Sequence, residues 1–130
     1  MPYALPALTT LTALLLYFVV TLNVARAHGK FNIYPPAMTG HPDFERVYRV
    51  QMNTLEQLAF FLPSLWLFAI FLSPALASLF GAIWIIGRIL YAIGYYRVAA
   101  KRSSGFIIAM FGSTALWVGA AYGVVRALLA

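Results

Sequence analysis

The sequence predicts an all-α integral membrane protein, a four-helix bundle in a single domain over residues 1–130. Composition is the first reason: the chain is 63% hydrophobic and 9% charged, with a mean hydropathy of +0.85, whereas soluble domains carry about 25% charged residues. The second is that apolar runs recur four times, each long enough at about 1.5 Å per residue to cross a hydrocarbon core of about 30 Å. The third is that proline, glycine and serine collect between those runs, where turns are needed.

Helix 1 is expected over about residues 4–28. Its residues through Ala25 are, apart from Asn23, apolar or hydroxyl-bearing, and Pro6 falls in the first turn, where its missing N–H would have gone unpaired anyway. A signal peptide cut after Ala27 is the competing reading. The amino-terminal region lacks the Lys or Arg such a peptide carries, and the apolar stretch is too long. Residues 29–43 hold Pro35, Pro36 and Pro42 with Gly29 and Gly40 and form a loop, after which Asp43 is expected to cap helix 2.

Helix 2 is expected over about 44–72, with Pro63 inside it, a kink that neighbouring helices in lipid can cover. Ser73-Pro74 makes a short turn into helix 3, about 74–102, closed by Lys101, Arg102 and Gly105 as cationic and glycine stop signals. Helix 4, about 104–128, carries Gly105, Gly112, Gly119 and Gly123 on roughly one side, where small residues let helix backbones approach. Arg26, Lys30, Arg46, Arg49, Arg97, Lys101 and Arg102 gather at the helix 1–2 and helix 3–4 connections. By the positive-inside rule that end faces the cytoplasm and both termini lie on the non-cytoplasmic side.

Two helices carry polar stripes. At 100° per residue, Arg46, Arg49, Asn53 and Glu56 share one side of helix 2, and Arg88, Tyr91, Tyr95 and Arg102 share one side of helix 3. A guanidinium in an apolar setting costs several kcal/mol unless it is partnered, so the two stripes are expected to face each other across antiparallel neighbours. Glu56 and Arg88 each lie about 20 Å in from the basic end, so a buried ion pair between them would explain the stripes as packing alone. That pairing leaves surplus guanidinium groups on Arg49 and Arg102. Forked cations and phenols in a cleft near the membrane interface suit a hydrophilic ligand with several carboxylates, and Glu56 could instead hold such a ligand's ammonium group. An apolar second molecule would arrive from the bilayer.

These residues carry a family resemblance. Phe44-Glu-Arg-Val-Tyr-Arg49-Val-Gln51-Met-Asn53-Thr-Leu-Glu56, with Leu90-Tyr91-Ala-Ile-Gly94-Tyr95-Tyr-Arg97 and Arg102, closely resembles the MAPEG superfamily of microsomal glutathione transferases and related eicosanoid proteins. The resemblance extends over the whole chain in helix number and spacing. It implies a homotrimer that binds glutathione as co-substrate at each subunit interface, near the cytoplasmic face. It further implies that Arg49, Asn53, Glu56, Tyr91 and Tyr95 contact glutathione, that Gln51 and Arg88 support it, and that Arg102 stabilises the thiolate. Arg26 and His28 stand where helix 1 of some relatives has paired arginines, and Gln57 replaces a tyrosine beside the acid. With helix 4 stopping at Ala130, these departures favour a general transferase or peroxidase acting on hydrophobic electrophiles or lipid hydroperoxides over eicosanoid synthesis. A non-catalytic lipid-binding scaffold of the same fold is the alternative.

Other classes find little support. With no cysteine there is no thiolate metal ligand or cysteine nucleophile, and His28 and His41 lack the carboxylate company of a metal site, so no metal is expected. The 9 basic residues against 3 acidic ones sit at helix ends and in one stripe, which reads as topology and anion contact and gives no nucleic-acid footprint. A proton-coupled exporter would want an acid within helix 1, and none is there. Trp66, Trp84 and Trp117 read as packing or lipid contacts. Tyr96, Arg97 and Lys101 read as residues reaching toward headgroups.

Overall fold

The computed structural model describes all residues 1–130, in the order α1 (Ala4–Phe31), α2 (Pro42–Phe71), α3 (Pro74–Arg97), a 3-10 turn (Ala99–Arg102) and α4 (Ser103–Leu129). All four helices are long and apolar enough to cross a membrane, and the protein is an integral membrane four-helix bundle. The antiparallel pair α2–α3 is the centre. Helix α1 packs on α2 and α3 from one side, and α4 packs on the same two from the other.

Local chemistry explains each boundary. The α1 threonines Thr9, Thr10, Thr12 and Thr21 return their hydroxyls to the carbonyl four residues back, which hides a polar group inside an apolar span. Helix α1 stops at Asn32, a left-handed residue at φ 53°. Helix α2 begins two residues earlier than expected, because His41 is its N-cap: Nδ1 accepts from the Asp43 backbone N–H at 3.1 Å and Pro42 occupies the first helical position. Asp43 is therefore not the cap. Its carboxylate takes Arg46 instead, one turn on. At the next turn Ser73 caps α3 by accepting from Leu76 N–H at 3.2 Å, again ahead of a proline.

The core is aliphatic and aromatic, centred on Phe61, Leu65, Trp84 and Leu116, all fully buried, with Phe61 and Trp84 stacked at 3.9 Å. The α4 glycines behave as expected. A Cβ at Gly105 would run into the Tyr91 backbone, and one at Gly112 would stand 2.8 Å from the Phe80 carbonyl and 2.9 Å from Trp84 N. Gly87 answers from α3, pressed on the Ala109 backbone. Helices α3 and α4 thus touch backbone to backbone, which fixes the height of Tyr91 and everything above it.

Candidate functional site

Helix 3 does not continue to residue 102. It ends at Arg97, Val98 is extended at φ −157°, and residues 99–102 form a 3-10 turn. Arg102 therefore leaves the α3 stripe on which the wheel placed it. The turn nonetheless folds back, and the Arg102 guanidinium lies 5.6 Å from the Tyr95 ring centroid while Nη1 donates to Ala99 O at 2.7 Å. The same neighbours are reached by a turn that a helical extension would have reached by periodicity.

The two stripes do face each other, with different partners from the ion pair expected. Arg88, only 1% exposed, donates through Nη1 to Asn53 Oδ1 at 3.0 Å and through Nη2 to Thr54 Oγ1 at 2.8 Å. Thr54 in turn donates to Val50 O at 2.7 Å. Glu56 is exposed and takes no part. Helical geometry is the reason: two residues past Thr54 is a rotation of about 200°, so the carboxylate points away from α3 when Thr54 points toward it. Arg88 is thus a buried guanidinium held by neutral oxygens, and its Nε has no partner.

Above Arg88 the side chains stack in a single file. Its guanidinium carbon sits 4.0 Å from the Tyr91 ring centroid, Tyr91 meets Tyr95 edge-on at 5.5 Å, and Tyr95 meets Arg102. The result is a ladder of cation, ring, ring, cation rising from the middle of the bundle to its basic end, each step favourable through the negative ring face. Tyr95 also opens onto a cleft of about 410 Å³ that Met38, Glu45, Arg46, Tyr48 and Arg49 line with it. The one ion pair in the chain joins Arg46 to Asp43, so Arg49, Arg88 and Arg102 have no acid partner.

Of the predicted site residues, the fold brings Arg49, Asn53, Arg88, Tyr91, Tyr95 and Arg102 into one connected group on α2, α3 and the turn. It leaves four elsewhere within the chain. Glu56 faces outward. Gln51 turns toward α1, where Nε2 donates to Tyr17 OH at 3.1 Å. His28 stacks on Tyr34 and approaches Ile33 O through Nδ1 at 2.5 Å. Arg26 lines a separate pocket between α1 and the start of α2, closed by Tyr96 of α3.

Sequence reasoning missed Thr54, whose hydroxyl could have been suspected from its place beside Asn53 on a helix needing to satisfy Arg88. It also misplaced Tyr96, which is half-buried and accepts from Asn23 Nδ2 at 3.0 Å. No group of three or more His, Cys, Asp or Glu side chains gathers where a metal ion could sit.

Fold and site together define a membrane-spanning helical bundle whose polar side chains collect as an arginine and tyrosine cleft at its basic end. Residues 6–122 match the model of the MAPEG family, and the chain belongs to that family. It is 58% identical over 115 residues to an uncharacterized protein of Synechocystis, covering 88% of this chain and 84% of that one. It is 36% identical to microsomal glutathione S-transferase 2 of Homo sapiens, over 83% of this chain and 74% of that protein. It is also 40% identical to leukotriene C4 synthase of Bos taurus, over 76% of this chain and 66% of that enzyme.

Proposed function

We propose that the protein is a membrane glutathione transferase that presents the glutathione thiolate to hydrophobic electrophiles, with glutathione peroxidase activity toward lipid hydroperoxides. Family membership and relatives named as glutathione transferase and leukotriene synthase support glutathione-using chemistry in general. The observation that carries the finer reading is the ladder Arg88–Tyr91–Tyr95–Arg102 beside Arg49, in which no guanidinium has a carboxylate partner. Glutathione has two carboxylates, an ammonium group and a thiol. Forked cations match its carboxylates bidentately, the outward Glu56 can take its ammonium group, and Asn53 and the two phenols offer hydrogen bonds.

Arg102 is proposed as the catalytic residue. A cation beside a thiol favours the anion, which is the nucleophile. The thiolate would attack an electrophilic carbon to form a carbon–sulfur bond, the leaving group or an opened ring oxygen taking the electron pair. Toward a hydroperoxide it would attack the terminal oxygen, release an alcohol after protonation, and leave a sulfenic acid that a second glutathione reduces to disulfide and water. Arg88 is a positioning residue, since it holds Tyr91 from below.

The reading includes a homotrimer with glutathione at each subunit boundary, which would seat the outward Glu56 against a neighbouring copy; Gln51 and His28 keep their contacts within the chain, and Arg26 is left out of the site. It also places the site near the cytoplasmic face, because seven of the nine basic residues gather at that end of the bundle. The test is turnover by the purified protein in detergent with glutathione and either a chlorinated dinitrobenzene or a lipid hydroperoxide, wild type beside Arg102→Ala. Conjugation that Arg102→Ala weakens supports the proposal. Absence of turnover with either acceptor refutes it in favour of a lipid-binding scaffold.

A further inference from the structure

A groove of about 410 Å³ runs between α1 and α3, lined by Leu16, Val19, Val20, Ile85, Ile89 and Ile93 among others. At its upper end it shares Asn23 and Tyr96 with a second pocket of about 300 Å³ that Arg26, Lys30 and Asp43 line. The junction is a hydrogen-bonded bar: Arg26 Nη1 donates to Asn23 Oδ1 at 3.3 Å, and Asn23 Nδ2 donates to Tyr96 OH at 3.0 Å. The phenol accepts there, so its own proton remains to be donated. Asp43 is already engaged by Arg46, which leaves Arg26 and Lys30 as a net positive pair.

We propose that these two adjoining pockets together form a binding site for one anionic phospholipid. Three levels of chemistry stand in the order that such a molecule presents them. From Thr12 to Asn23 the groove follows α1 for about 16 Å, close to the thickness of one leaflet's hydrocarbon, half of about 30 Å. Asn23 and Tyr96 stand at the boundary, where an ester carbonyl needs a donor. Arg26 and Lys30 then lie within the next two turns, at headgroup height, where each basic residue near a leaflet surface contributes attraction to an anionic lipid. A neutral lipid would leave the two cations unanswered. A soluble anion would leave the groove unused.

The site is separate from the glutathione cleft, with which it shares no lining residue, so its test does not depend on catalysis. Detergent-purified protein is offered phosphatidylglycerol or phosphatidylcholine with identical acyl chains, and retained lipid is counted by native mass spectrometry, with glycerol phosphate as a competing soluble anion. Two cations at the worth of an interfacial basic residue give an expected preference for phosphatidylglycerol of roughly 30-fold. Arg26→Gln with Lys30→Gln should bring that ratio near unity. Ile89→Trp, which fills the groove, should lower retention of both lipids.

A second measurement needs no variant: phosphatidylglycerol with a photoactivatable acyl chain should label residues of the α1–α3 groove in wild-type protein. The proposal is overturned by equal retention of the two lipids, by displacement with glycerol phosphate alone, or by labelling spread evenly over the outer faces of α1 and α4.

Discussion

Replacing Arg102 with alanine tests the thiolate role through its pH dependence more sharply than through lost rate. A cation about 4 Å from the sulfur attracts the thiolate by about 1 kcal/mol in water and about 4 kcal/mol at an effective dielectric near 20. At 1.36 kcal/mol per unit, that lowers a thiol pKa from about 8.5 by roughly 0.7 to 3 units. Arg102 is exposed in the single chain, which argues for the smaller figure unless a bound substrate or a neighbouring subunit covers it. At pH 7 a shift of about 0.7 raises the thiolate fraction from about 3% to about 14%, a gain of roughly 4-fold. Nucleophilicity falls with pKa at a Brønsted slope of about 0.4–0.5, which returns about half of that gain.

The expected loss of kcat at pH 7 and saturating glutathione is therefore only a few-fold. What should move unmistakably is the midpoint of the pH–rate profile. It should rise in Arg102→Ala toward about 8.5, and above that pH the variant should equal or overtake the wild type, its thiolate being the more basic nucleophile. Titration of the bound thiolate by its ultraviolet absorbance should give the same displacement, and Arg102→Lys should retain most of the wild-type midpoint because it keeps the charge. An unchanged midpoint in Arg102→Ala would refute the assignment even if the rate fell.

Three further outcomes follow from the packing. Asn53→Leu strands a buried charged donor of Arg88 and should cost about 1.5–3 kcal/mol in unfolding free energy; Arg88→Met combined with Asn53→Leu removes the donor as well and should recover most of that loss, an expectation that fails if the pair is as unstable as the single variant in thermal unfolding. Gly105→Ala drives a methyl into the Tyr91 backbone and to 2.6 Å from the Gly87 carbonyl, so it should destabilise by about 1–3 kcal/mol and reduce conjugation by displacing Tyr91. Gly29→Ala meets nothing within 4 Å and sits in a helix, so it should stabilise by about 0.5–1 kcal/mol, a rise in unfolding midpoint that a hidden contact at Gly29 would abolish.

Much of this fold was legible because a bilayer imposes few solutions: apolar length, turn residues and the side on which glycines fall are all one-dimensional signals. The α4 glycines were read correctly because a glycine spacing on a membrane helix has one principal use. Arg102 was assigned the right neighbour by an incorrect route, since a continuous helix and a 3-10 turn both bring residue 102 back over residue 95. The Glu56–Arg88 pair failed for a different reason. Matching depth along two helices does not fix rotation about them, and a threonine adjacent to the asparagine met the guanidinium first. The amphipathic groove was invisible in sequence because Asn23 and Tyr96 lie 73 residues apart and neither belongs to a stripe on its own helix.

The neutral environment of Arg88 links fold to chemistry. Had Glu56 paired with it, the buried charge would be cancelled inside the bundle and the rings above it would stand over a neutral pair. With only Asn53 and Thr54 as partners, the positive charge is solvated by dipoles and remains uncancelled, and Tyr91 and Tyr95 sit directly between it and Arg102. On the proposed reading, an anion entering the cleft beside Tyr95 would meet the Arg49 and Arg102 guanidinium groups, with a third fixed below at Arg88. Preorganised charge of this kind would be worth more than charge that must reorient on binding, and the glycine contact of Gly87 and Gly105 between α3 and α4 is what holds Tyr91 in place for it.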